Sequence, residues 1–259
     1  MLNNITCVVG AGYRSTVCRL ASMLRTLGES VAMIDLAPGT EKINDYFRFY
    51  NADEDDGDMV SINGMGYTIG AGYVGAGGYT ESLGTDYSAQ IVLLGNEPED
   101  CDFALIEHHE RVLVIVEEDP AQIRRLIRAY KNREETKKND GYSDELETKV
   151  DTRLIVLNYT GKGRHAVHEL KKVIRPSKTL IMKQDKRSIA REKKFDFAER
   201  TCMTELPEDY LQFLADTLAV IYKDGVECGF EDEEEKLKKL DASNLHKLAR
   251  AAERRKELK

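Results

Sequence analysis

Long apolar runs are missing from this 259-residue chain. No stretch stays apolar for the roughly 18 residues that a bilayer-spanning helix needs, so no helical membrane span is expected. The start has neither the charged nor the apolar segment of a secretory leader, which makes the cytoplasm the expected location. Cysteine has no pattern: Cys7, Cys18, Cys101, Cys202 and Cys228 are scattered, odd in number and without metal-site spacing, and they read as reduced, mostly buried thiols. An excess of positive charge is missing as well. The formal charge of −8 argues against general nucleic-acid binding, although it leaves room for local basic patches. The length suits one generous α/β domain or two small ones.

The opening of the chain organises the rest. Residues 5–9 are a short β-branched run ending at Gly10-Ala11-Gly12, which fits a buried strand entering a tight turn. A helix follows: Ser15 and Thr16 suit its first turn, Val17, Leu20, Ala21, Leu24 and Leu27 recur at helical spacing, and Gly28 stands at the C-cap position. A second apolar run, 31–34, closes on Asp35. Strand, glycine turn, helix and strand make a βαβ unit whose first turn aims helical N–H groups at one spot, the usual place for a phosphate.

A dinucleotide-binding turn, G-x-G-x-x-G with an acidic residue after the second strand, finds Gly10, Gly12 and Asp35 but has Ser15 in place of its third glycine. The chain more closely resembles the ParA/MinD branch of P-loop NTPases, whose loop reads K-G-G-x-G-K-T-T and is followed by N-L-A and I-D-x-D-P. With Gly12 on the last loop glycine, Arg19-Leu20-Ala21 falls on N-L-A and Ile34-Asp35-Leu36-Ala37-Pro38 on I-D-x-D-P without a gap. What that resemblance implies for chemistry is mostly loss. The phosphate-binding lysine falls on Tyr13, the magnesium hydroxyl on Arg14, the signature lysine on Val8 and the second aspartate on Ala37. A phenol has no charge for a phosphate, and a guanidinium repels a metal ion. A one-residue shift of the loop instead puts Arg14 in the lysine's place and Ser15 near magnesium.

Further along, residues 41–58 are polar and acidic, with an aromatic cluster ahead of Asp53-Glu54-Asp55-Asp56; they read as a solvated loop or a dock for a basic partner. The stretch 61–84 interleaves glycines with Tyr67, Tyr73 and Tyr79. An irregular loop or weak hairpin is expected there, with an adaptable binding surface as the alternative. Residues 90–96 form a buried strand on which the resemblance calls for the Walker B acid, yet Leu93 and Leu94 occupy that position. Glu97, Glu99 and Asp100 read as loop and helix-start charges. Residues 99–109 suggest a short helix, on which His108 and His109 point apart and read as surface residues.

A strand over 112–116 precedes a helix opened by Asp119-Pro120, with Ile123, Leu126, Ile127 and Tyr130 on one face. Residues 131–149 read as a charged connection. After a strand over 153–157 comes Asn158, which the resemblance offers for adenine recognition and which an Asx turn into a helix over 166–174 also explains. A short strand over 179–182 leads into a basic stretch, Lys183 to Lys194, and Leu206-Pro207-Glu208 opens a closing helix with an apolar face.

The expectation is a doubly wound, largely parallel α/β domain over 1–225, followed by a charged tail, 226–259, whose 231–259 part is an amphipathic helix. The site residues expected to bind a nucleotide are Gly10, Ala11, Gly12, Tyr13, Arg14, Ser15, Thr16 and Asn158. Asp35 is the catalytic candidate, with Ser15 and Asp35 as the magnesium candidates, if the chain is active. Phosphoryl transfer relies almost wholly on electrostatic stabilisation. Losing the charges therefore suggests a catalytically silent scaffold or localisation adaptor, a pseudo-ATPase working through protein partners by way of 231–259 or the 61–84 loop, and able to form a homodimer. The alternatives are a slow ATPase or ATP-gated dimer that binds ATP with magnesium, and a Rossmann-type dinucleotide binder.

Overall fold

The computed structural model describes residues 4–10, 14–26, 29, 31–37, 60–62, 65–69, 89–98, 111–139, 151–187, 190, 206–227 and 247. Their strands are β1 (Asn4–Gly10), β2 (Val31–Asp35), β3 (Val60–Ile62), β4 (Met65–Ile69), β5 (Ala89–Gly95), β6 (Arg111–Glu117), β7 (Asp151–Tyr159) and β8 (Lys178–Lys183). The helices are α1 (Arg14–Thr26), α2 (Pro120–Asn139), α3 (Arg164–Ile174) and α4 (Glu208–Glu227). The strands form one eight-stranded sheet in the order β3-β4-β2-β5-β1-β6-β7-β8. Every pairing is parallel except β3 with β4.

The sheet is covered on both faces, which is why its central strands read as continuous apolar runs rather than alternating ones. On one face, Val17, Leu20 and Leu24 of α1 and Leu211, Leu214 and Leu218 of α4 pack over Val8, Met33, Ile91, Leu93 and Ile115. On the other, Ile123 and Leu126 of α2 and Val167 and Leu170 of α3 pack over Val9, Val92, Leu94, Val114 and Val156. Cys7 is buried in that second layer and forms no disulfide. β1 lies between β5 and β6. Its crossover α1 leads toward β2 over one face, whereas α2 and α3 lead away over the other. The chain paths therefore diverge at the C-terminal end of β1, where open α/β sheets place their ligand crevice.

Several sequence expectations need adjusting. In the dinucleotide-binding order β1 and β2 are neighbours; here β5 separates them, so the strand order is not the Rossmann one. In the glycine-rich stretch the expected hairpin is present over the described residues: β3 and β4 pair antiparallel, and β4 joins the sheet against β2. The expected connection 131–149 begins as helix, because α2 runs through Asn139. Lys131, Glu134 and Glu135 are exposed on a helix whose other side is anchored by Ile123 and Leu126. The helix expected at 166–174 starts at Arg164, and α4 passes through Gly225, where the domain was expected to end. The acidic 41–58 stretch, His108, His109 and the 231–259 helix apart from Lys247 lie outside the described residues, as does all of the 61–84 stretch beyond the hairpin.

Candidate functional site

The candidate site is the C-terminal edge of the sheet around β1. Gly10 ends β1 with φ +118, a conformation that only glycine adopts readily. A side chain there would also run into the main-chain carbonyl of Ile115 on β6. β1 therefore turns as close to its neighbour as a backbone can. The register against β5 slips between Val8 and Val9, so that Val8 faces Leu93 and Val9 faces Gly95. Ala11, Gly12 and Tyr13 lie outside the described residues. Arg14 is the first residue of α1, and Ser15 and Thr16 behind it are both buried.

Thr16 has a partner that its position in the sequence does not reveal. Tyr210 of α4 donates its hydroxyl proton to Thr16 Oγ1 at 2.8 Å, with both residues fully buried. Arg19, one turn on and 2% exposed, lies over the Tyr210 ring at 5.9 Å from its centroid. Arg19 thus takes part in packing α1 against α4. Tyr210→Phe is expected to cost about 1 kcal/mol by leaving a buried hydroxyl acceptor without its donor. Thr16→Ser should stay near wild type. Denaturant midpoints check both, and an unchanged midpoint for Tyr210→Phe would remove the bond from consideration.

Asp35 ends β2 in register with Leu93 of β5, which in turn lies beside Val8 of β1. It is one strand removed from the turn, about 10 Å to one side at ordinary strand spacing. On the other side, Gly10 is level with Ile115 of β6 and Ile155 of β7, which places Asn158 about 10 Å to the side and, three residues further along its strand, about 10 Å beyond that level. The two candidates flank the turn and do not meet. Between them, on β5, Leu93 and Leu94 are both fully buried.

Asn158 has φ 52, a left-handed conformation that asparagine tolerates well, and its Nδ2 donates to Glu117 Oε1 at 3.4 Å. The turn after it is not held by the Asn158 side chain. Glu118 reaches across from β6 instead. Its Oε2 accepts from the Thr160 hydroxyl at 2.6 Å and from the Thr160 amide, and its Oε1 accepts from the Gly163 amide at 2.6 Å. Burial pushes the Glu118 carboxyl up, but the bonds from Thr160, Gly163 and Gly161 outweigh it and hold the group below the usual glutamate range. The sequence offered no local signal for this brace, because its partners are 42 and 45 residues apart.

A Cβ on Gly163 would stand 2.6 Å from Glu118 Cγ, so glycine is needed there for the carboxylate rather than for the backbone, whose φ is −89. Two results should follow. Gly163→Ala is expected to cost about 1–2 kcal/mol in the native chain by evicting Glu118. In a Glu118→Ala background the same change should be neutral or slightly stabilising, since the clash is gone and the unfolded chain is stiffened. Additive effects in the four-variant cycle would refute the brace. Because the carboxyl is lowered in the fold, its contribution is complete above the ordinary glutamate range and is lost as pH falls through the folded value. Glu118→Gln should therefore reduce the acid sensitivity of unfolding.

No family model and no curated protein matches the chain. The α/β fold is shared with solved structures of ParA and MinD proteins. Among solved structures, the chain is similar to a ParA family ATPase from Chlorobium tepidum TLS, at 14% identity and TM-score 0.52, covering 80% of this chain and 93% of that one. It is also similar to a chain of the MinC:MinD cell division protein complex from Aquifex aeolicus, at 13% identity and TM-score 0.52, covering 77% and 87%. Among the described residues, no helix is long and apolar enough to cross a membrane.

Proposed function

We propose that the chain is a catalytically silent or severely impaired P-loop protein that acts as a scaffold or localisation adaptor through protein contacts. The observation that carries this reading is the end of β5. That strand lies between β1 and β2, beside the phosphate-type turn, and it presents Leu93 and Leu94, fully buried, where hydrolysis needs a carboxylate to order magnesium. Burying charge among those side chains would be costly without a partner. The residues present therefore do not fit a magnesium-bound triphosphate: in the resembled motif Tyr13 and Arg14 fall on its lysine and hydroxyl, and β5 offers no carboxylate. A MinD-containing complex among the similar structures is an example of this fold at work in a protein assembly.

The second reading is a slow ATPase or ATP-gated dimer using Arg14, Ser15, Asp35 and Asn158. Its support is the placement of Ser15 in the first turn of α1 and of Asp35 at the end of β2. Thermal shift with ATP and magnesium tests the two, since any ligand that binds the native state raises its midpoint. No shift and no phosphate release is expected, and Tyr13→Lys with Arg14→Thr should recover no turnover while Leu93 and Leu94 remain. Magnesium-dependent phosphate release abolished by Asp35→Ala would overturn the adaptor reading.

A further inference from the structure

We infer that the outer edge of β8 is a docking site for an extended acidic segment of a partner protein, which adds to the sheet as a further strand. β8 is the last strand of the sheet and, among the described residues, pairs only with β7. Among the same residues, Ile181 at its centre is the large apolar side chain left exposed, at 37%. An edge of this kind offers main-chain hydrogen bonds and an apolar anchor to an incoming strand.

The surrounding charge selects the occupant. Lys183 ends β8 beside Tyr159, and the Gln184 amide donates to the Tyr159 carbonyl, so the loops after β7 and β8 share one corner. Lys162, Arg164, Lys183, Lys186 and Arg187 are all exposed there. Glu118 of the β6 loop is engaged by Thr160 and Gly163. Five cations against one exposed carboxylate of the loop after β8, Asp185, leave this corner net positive in a chain whose overall charge is −8. A long polyanion such as nucleic acid would be repelled by the rest of that surface, whereas a short acidic segment meets only the patch.

This surface gives the adaptor reading a partner chemistry but does not rest on the silent turn, since a chain that hydrolysed ATP would have the same edge. The probe is a fluorescent peptide of about eight residues, alternating valine with glutamate and ending in aspartates. Binding to the full chain, without nucleotide, is followed by anisotropy. The acidic peptide is expected to bind and to weaken as salt rises. Its lysine-for-glutamate counterpart should bind at least about tenfold more weakly, and so should an acidic peptide N-methylated on alternate amides. Ile181→Ser and the charge reversal Lys183→Glu, Lys186→Glu, Arg187→Glu should each lose binding to a similar degree. Circular dichroism checks that these variants are folded, and the peptide series stands without them. Equal binding of the N-methylated peptide, or tighter binding of a DNA oligonucleotide, would reduce the edge to a general anion patch and overturn the proposal. Concentration-dependent dimerisation lost in Ile181→Ser would overturn it in favour of a second copy.

Discussion

Gly10→Ala is expected to destabilise the domain by about 4 kcal/mol or more, enough to unfold it under ordinary conditions if its stability is typical. Two costs combine at this position. The φ of +118 is outside the range that a residue with a Cβ adopts readily, and the added carbon would overlap the Ile115 carbonyl, which is itself fixed in the β6 ladder between β1 and β7. Neither strand can retreat, because both are packed on their two faces. Gly161 is the control. It also has a positive φ, +90, but open space where its Cβ would stand. Gly161→Ala should therefore cost only the conformational part, about 1–2 kcal/mol. Urea denaturation of both variants separates the terms, and equal losses would show that steric overlap with β6 contributes nothing.

The second large effect is expected from an asymmetric ion pair that ties β7 to α4. Arg153 is 8% exposed; its Nε donates to Asp151 Oδ2 at 2.8 Å, and one of its terminal nitrogens donates to Thr217 Oγ1 at 3.3 Å. Asp151 is more open, with its side chain 26% exposed, and it also accepts from the Ser177 hydroxyl. Removing each partner leaves a different problem. Asp151→Ala strands a buried guanidinium and should cost about 3 kcal/mol. Arg153→Met keeps the buried stem, and the carboxylate left behind can still reach water, so the expected cost is about 1 kcal/mol. Chemical denaturation in low salt measures the pair, and a reversed order would mean that Asp151, not Arg153, is the desolvated partner. Lys178, which pairs with Asp216 of α4 nearby, has its ammonium pushed below the usual range by burial and by Arg153. That edge of the sheet is thus already crowded with positive charge when Asp151 is lost.

The site itself was only partly legible in the sequence. Gly10-Ala11-Gly12 after a β-branched run announced the turn, and the apolar character of Leu93 and Leu94 announced what the neighbouring strand lacks. That β5 is the strand inserted between β1 and β2 could not be read from spacing, because parallel strands are ordered by crossovers that leave no local pattern. Thr16 looked like a first-turn hydroxyl open to a ligand. Its engagement by Tyr210, 194 residues away, exists only because α1 and α4 share one face of the sheet.

By itself, the sequence determined the elements. Apolar runs of strand length, glycine at the turn, proline at the start of α2 and helical spacing in α1 and α4 are short-range requirements that each residue meets locally. Tertiary structure alone decided strand order, which excluded the Rossmann arrangement, and hydrogen-bond partners such as Glu118 with Gly163. It also decided which charges are buried with a partner, as at Arg153, and which gather in the open, as beside β8. Those outcomes depend on contacts between segments far apart in the chain, and no window of neighbouring residues contains them.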